Sequence, residues 1–544
     1  MPFQRLARVP LVLFLLVLLL LLTLPLVAVL GVWWPGGASG AESWHIVQEM
    51  ARTVLPDYVG TTVQLALLVG LGVVVLGLGT AAAVTLFDFP GRRVFEWALL
   101  LPLAMPAYVV AYAYTDFLQF SGPLQTGLRA SFGLQGRVFP EVRSVWGAAW
   151  VFTFVLYPYV YLLARTALAE RAAHLMEAAR LMGASLARRM LWVALPLARP
   201  AVAAGVALAL MEVLADFGVS SYFGIQTFTA GIYKAWLAMD NRVAAAQLAS
   251  LLLALVALLL WLERRAQARM RFAAGRGARA NASDAQPVRL RGRHAAGAWL
   301  VCALPILMGF ALPVLFMLRP LWGEQNELPW HRFAEWALNS VRLAGVTSAL
   351  AVAIALVLAF GARRSPHWAP RVATQLAGLG YAIPGAVVVV GLLLPVGWVQ
   401  AWQPEWKVGY VVTATALGLV WAYLVRFCAV ALQSLQSGYA RIPRSMDDAA
   451  RMLGTGDAGI LARVHWPLLR RSTAAAALLV FVDVMKELPA TLVLRPFNSD
   501  TLAVVAYQLA RDERLGEAAV PSLALVLVGL IPVVMLSRTL RSKV

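Results

Sequence analysis

The chain has 544 residues, of which 61% are hydrophobic and 13% charged, with a mean hydropathy of +0.74. That composition excludes ordinary soluble domains and describes an integral membrane protein. The formal net charge of +19 would point to nucleic acid in a soluble chain, but here the arginines cluster between apolar runs, and the hydropathy excludes a nucleic-acid partner.

The first apolar run, Val9 to Trp34, follows Arg5 and Arg8. It is too long for a signal-peptide core of about 7 to 15 apolar residues, so it reads as a retained membrane anchor. A bilayer core needs roughly 20 apolar residues per helix, and this ruler predicts an all-α polytopic protein with about twelve spans. Six lie near 9–34, 60–86, 95–118, 145–168, 198–220 and 243–262. Six more lie near 297–319, 339–361, 373–395, 409–432, 472–494 and 518–537. Between them, residues 264–294 carry nine arginines among Ala, Gly, Asn and Ser, without apolar periodicity, and form a basic cytoplasmic linker. The chain thus divides into a first repeat, 1–263, the linker, and a second repeat, 295–544. Arg5, Arg8, Arg92, Arg93, the 165–199 segment, the linker, Arg363, Arg364, the 441–471 segment and the C-terminal tail all fall on one face under an even span count. Both termini are therefore placed in the cytoplasm.

Chemistry-bearing motifs are few. No Lys follows a Gly, so the chain has no Walker A phosphate loop, and HExxH and nucleophile-elbow patterns are missing. Cys302 and Cys428 sit inside apolar runs without CxxC spacing and read as small core residues. His174 and His465 read as surface residues, and Tyr157, Tyr159 and Tyr161 follow an interfacial aromatic spacing.

The two halves repeat. Glu177–Arg199 aligns with Asp448–Arg470, 271 residues later, at nine identities in 23 positions. The same offset pairs Glu212 with Asp483 and Asp216 with Glu487, while Pro106 faces Pro384 at an offset of 278. Because each half holds six spans, the repeats run parallel and should be related by a pseudo-twofold axis along the membrane normal.

The doubled polar segment predicts a helix–turn–helix on the cytoplasmic face of each half. Ala178 and Ala179 continue a strong helix, Gly183 stops it in a left-handed conformation, Ser185 caps a second short helix, and Pro196 starts the next span. The second copy follows the same plan with Asp448, Ala449, Ala450, Gly454, Asp457 and Pro467. Contact with lipid demands no such register, whereas a protein groove does.

This pattern, E-A-A, three residues, G and then Leu-Pro, resembles the EAA loop of permease subunits of binding-protein-dependent ABC importers, with loops at 170–197 and 440–468. The match is close at Glu177, Ala178, Ala179, Gly183, Leu195 and Pro196; the second copy departs at Asp448 and Trp466. The duplicated layout, with Asp216–Ala249 and Lys486–Ala519 as its most specific stretches, resembles the fused two-domain ferric-iron permeases, which are similar to thiamine, polyamine and phosphonate permeases. The resemblance implies a type I importer permease in the bacterial inner membrane that does no covalent chemistry. It also implies two copies of a separate cytoplasmic ATPase, which binds the ATP and Mg, and a periplasmic substrate-binding protein. This chain would bind no cofactor itself.

Glu212, Asp216, Asp483 and Glu487 lie toward the far end of their spans, with each pair at i and i+4 on one face. Ionisable residues there are expensive and should face an interior or a watery cavity. They either line the pathway and touch a hard cation such as ferric iron transiently, without a stable metal site, or form a charge network that includes Lys486. An ion-coupled secondary transporter would use the acids but would not need matched cytoplasmic loops.

Overall fold

The computed structural model describes residues 9–34, 40–169, 178–274, 287–322, 330–364 and 368–541. Nine helices among these are long and apolar enough to cross a membrane, or ten if a pair bent by 88° between Ala104 and Ala107 is one span. The spans expected near 9–34 and 472–494 fall on two further helices, Val9–Gly31 and Trp466–Lys486. Arg470, Arg471, Asp483 and Lys486 charge the second of these at both ends. Apart from one two-residue parallel pair, Phe87–Asp88 with Val288–Arg289, the regular structure of the described residues is helical. Its Val288–Arg289 strand lies in the linker expected to hold no packed element, and the helix before that strand runs on to Ala274. Paired backbone therefore ties the end of the linker to the loop before Arg92.

The chain packs as two compact units: Met1–Ala51, Gly231–Leu253 and Pro329–Val505 in one, Arg52–Ala230, Ala254–Leu328 and Ala506–Val544 in the other. Packing units and sequence repeats are thus different divisions of the chain. The leading helix of each half packs with the body of the other. In the first unit the Trp421 indole donates to the Leu21 carbonyl at 2.8 Å. In the second unit the Tyr114 hydroxyl donates to the Met308 carbonyl at 2.6 Å. Each bond pairs a side-chain donor with a backbone carbonyl of the leading helix, a partner that lipid does not supply.

The core of the second unit is the contact of helices Leu55–Leu86, Val145–Ala167 and Leu195–Ala215. Small residues bring the backbones together: a Cβ on Gly205 would stand 2.7 Å from the Val160 Cα. Tyr157 and Tyr161 are fully buried. Their hydroxyls donate to the Leu99 and Glu96 carbonyls, each at 2.9 Å, so they staple helices rather than lie at the membrane interface. The spacing of these tyrosines carries no information about which neighbour fills the space beside them.

Candidate coupling loops and intramembrane carboxylates

The second loop is described throughout. Helix Leu417–Tyr439 ends at a turn, Pro443 precedes helix Arg444–Met452, and Gly454 closes that helix with φ of 77°. The Gly454 N–H donates to the Arg451 carbonyl at 2.9 Å and the Thr455 N–H to the Ala450 carbonyl at 3.0 Å. These two bonds form the Schellman closure of a helix, and the left-handed glycine makes them possible without strain. In the first loop Glu177 and His174 lie outside the described residues. From Ala178 onward the geometry repeats: Gly183 has φ of 81°, its N–H donates to Arg180 at 2.9 Å, and the Ala184 N–H donates to Ala179 at 3.0 Å. The offset of 271 therefore extends from sequence to individual hydrogen bonds.

Just before each glycine, two large apolar side chains project into solvent. Leu181 and Met182 are 85% and 81% exposed, and Met452 and Leu453 are 89% and 85% exposed. Met182 is thus one of four matched projections. Ala178 and Ala449 are also exposed, while Ala179 is buried and Ala450 half-buried, so small residues flank each projection. Paired apolar projections beside small residues make a surface that a protein groove can cover.

Beyond the turn, each copy runs into its span without a break. A widened helical turn occupies Met190–Ala194 in one copy and Ile460–His465 in the other, and Pro196 and Pro467 follow within a continuous helical path. The prolines were expected to start new helices. Because proline has no N–H and its ring clashes with the carbonyl four residues back, a wide turn relieves the clash without ending the helix.

The second loop carries a buried polar cluster that the sequence does not announce. The Arg363 guanidinium donates to both Asp447 carboxylate oxygens, at 2.7 and 3.2 Å, and to the Tyr439 and Pro443 carbonyls at 3.3 and 3.2 Å. His465 Nε2 faces Asp447 Oδ1 at 2.9 Å, and His465 Nδ1 faces the Tyr439 hydroxyl at 3.4 Å. His465 is buried, contrary to the surface position expected for it. Burial alone would push the Asp447 carboxyl up, but hydrogen bonds and charge from Arg363 and His465 hold it below its ordinary value of 3.8. The positions 271 residues earlier are Met176 and Ala194, so the first repeat lacks these polar groups. Asp448, the residue singled out by the repeat, is exposed and pairs with Arg451 at 3.1 Å.

Two of the four membrane acids have a shared structural task. Asp216 follows helix Leu195–Ala215, and its Oδ1 accepts from the Val219 and Ser220 N–H groups at 2.9 and 3.3 Å, capping helix Gly218–Phe223. Glu487 follows helix Trp466–Lys486 and accepts from the Ala490 and Thr491 N–H groups at 2.9 and 3.0 Å, capping helix Pro489–Leu494. A carboxylate at this position satisfies orphan donors and meets the positive end of the helix dipole. Glu487 is also neutralised by Arg426 at 2.9 Å, whereas Asp216 forms no ion pair among the described residues. Glu212 and Asp483 lie one turn earlier and are half-buried. The Asp216 and Glu487 pairs belong to different packing units. Among the described residues no group of three or more His, Cys, Asp or Glu side chains is arranged to hold a metal ion.

Comparison with known proteins agrees with this architecture. Residues 73–272 match the family of binding-protein-dependent transport system inner membrane components. The chain is 24% identical over 502 residues to an Fe(3+)-transport system permease protein, FbpB 2, of Haemophilus influenzae, covering 90% of this chain and 92% of that protein. It is 25% identical to a probable ABC transporter permease, y4fN, of Sinorhizobium fredii, covering 87% and 85% of the two chains. It is 31% identical over 195 residues to a putative ABC transporter permease, ORF1, of Streptomyces antibioticus, covering 36% of this chain and 77% of that one. With repeated loops, apolar helices and family match in accord, the chain belongs to the inner-membrane permease components of binding-protein-dependent ABC transport systems.

Proposed function

We propose that this permease carries ferric iron across the inner membrane as the fused, two-repeat membrane subunit of an ABC importer. In this reading twelve spans are arranged as two parallel sets of six, with both termini in the cytoplasm. A periplasmic binding protein delivers the cargo to the outer face. Two copies of a cytoplasmic ATPase, which hold the ATP and Mg, grip the loops 170–197 and 440–468. Closure of the ATPase pair pulls on Glu177, Ala178, Ala179 and Gly183 in one loop and on Asp448, Ala449, Ala450 and Gly454 in the other. The continuous helical paths through Pro196 and Pro467 pass that motion to the spans bearing Glu212, Asp216, Asp483 and Glu487.

The observation that carries the reading is the pair of Schellman-closed turns, each presenting two exposed apolar side chains in one register. Iron is supported by the full-length similarity to a protein named as an Fe(3+) permease. It is also supported by an Asp216 carboxylate that no cation of the described residues neutralises, since hard oxygen donors suit a hard trivalent ion. Because its carboxylate already accepts from the Val219 and Ser220 N–H groups, Asp216 would touch cargo only in passing, as rapid release requires. The test is ATP-dependent uptake of radioactive ferric iron into proteoliposomes holding this chain, its ATPase and its binding protein. Uptake that unlabelled thiamine, putrescine and a phosphonate all fail to block is the expected result. Exclusion of iron with entry of one of the others would leave the permease and remove the iron assignment.

A further inference from the structure

An apolar groove of about 670 Å³ opens in the second packing unit between helices Leu55–Leu86, Leu195–Ala215 and residues 259–266. Leu78, Val206, Leu210 and Leu259 are among its walls, and its only charged lining residues are Arg199 and Arg265. These two arginines mark one end. Helix Leu195–Ala215 begins near Arg199, and the span Arg242–Ala266 ends at Arg265, so antiparallel helices bring both cations to the same membrane edge. Neither forms an ion pair among the described residues. Arg265 instead lies over the Trp261 ring, 5.1 Å from its centroid, which holds the guanidinium at the mouth. From Arg199 to Leu210 the helix rises about 16 Å, close to the thickness of one leaflet of a core of about 30 Å.

We propose that this groove is a binding site for an anionic phospholipid, with an acyl chain along the apolar walls and the phosphate between Arg199 and Arg265. Its volume falls within the range of about 300 to 1,000 Å³ occupied by small-molecule sites. Apart from Trp261 and the two arginines the lining side chains are aliphatic, and the two cations at one end select an amphiphile whose head is negative. Basic pockets between helices at the cytoplasmic edge recognise anionic lipid head groups by this combination. A bilayer lipid without head-group preference would fill the same walls and ignore the arginines, and the test separates these cases without reference to transport or cargo.

The full chain is reconstituted in phosphatidylcholine with either brominated phosphatidylglycerol or brominated phosphatidylcholine at equal mole fraction. The Trp261 signal is taken as the difference between the chain and a Trp261→Phe variant. At about five-fold per arginine, the brominated anionic lipid should quench Trp261 with about twenty-five-fold preference over the neutral one. Arg199→Gln with Arg265→Gln should abolish the preference, and Arg265→Gln alone should remove about five-fold. Equal quenching by the two lipids, or a preference that survives the double substitution, would overturn the proposal. Loss of the preference on adding inorganic phosphate, which has no acyl chain, would overturn it as well. Should the double variant lose its helical circular dichroism, the single variant decides by the same readout.

Discussion

Asp447→Asn removes the charge that holds the second loop to the end of helix Trp330–Arg364. In the native protein the carboxylate accepts two bonds from Arg363 and one from His465, and the Arg363 and Asp447 side chains are 11% and 8% exposed. Breaking a buried ion pair from one side costs about 3–5 kcal/mol, because the partner charge is left without compensation. Arg363 keeps its bonds to the Tyr439 and Pro443 carbonyls. The loss therefore belongs at the low end, about 3 kcal/mol, or roughly a hundred-fold in a local opening equilibrium. The assay is amide hydrogen exchange on the reconstituted protein, followed by peptides covering Arg444–Met452 and, as an internal reference, Ala178–Gly183. Exchange should rise about a hundred-fold in the second loop and stay unchanged in the first, which has Met176 and Ala194 at the matching positions. Unchanged protection in the second loop would refute the claim that this cluster fastens it.

The same carboxylate sets a pH dependence. Its folded value lies below the ordinary 3.8, so its stabilisation is complete above that ordinary value and is lost as pH falls through the folded one. Protection of Arg444–Met452, corrected for intrinsic exchange, should be level from neutral pH to about 4 and fall below it; a loss centred near pH 6 would contradict the assignment. Gly183→Asp and Gly454→Asp should each cost only about 1 kcal/mol of stability, since no atom lies within 4 Å of the added Cβ and the penalty is left-handed strain. Each should uncouple ATP hydrolysis from uptake in proteoliposomes while membrane insertion is kept; normal coupling in both would remove the coupling role. Glu487→Ala should lower thermal stability by about 3–5 kcal/mol, because the Ala490 and Thr491 N–H groups and Arg426 all lose their acceptor. Glu487→Gln, which keeps the shape, should cost less, and equal losses in detergent melting curves would show that the cap contributes nothing.

Much of this architecture is legible in the sequence because lipid forces backbone groups to pair within each segment, so apolar length alone marks helices. The loop closures are legible because a left-handed turn favours glycine, and Gly183 and Gly454 recur at one offset. Other features depend on distant neighbours. Asp447 meets Arg363 from 84 residues away, and no local pattern distinguishes it from Asp448 beside it. Tyr157 and Tyr161 read as interfacial until the Leu99 and Glu96 carbonyls stand opposite them. The exchange of leading helices between the two bodies leaves no trace in hydropathy, because lipid and a neighbouring helix are equally apolar. Asp216 and Glu487 were legible as a matched pair of acids, but their capping bonds become visible only once the chain turns after each span.

The central claim is that both loops dock on the ATPase, and cysteine cross-linking tests it most directly. Cys302 and Cys428 are buried, so Met182→Cys and Met452→Cys can be labelled selectively with a short bifunctional reagent in proteoliposomes containing the ATPase. The account predicts that each position links to the ATPase, one copy per loop, with a yield that changes between nucleotide-free and ATP-bound states. Failure of both positions to link, while ATP-driven uptake proceeds, would contradict it.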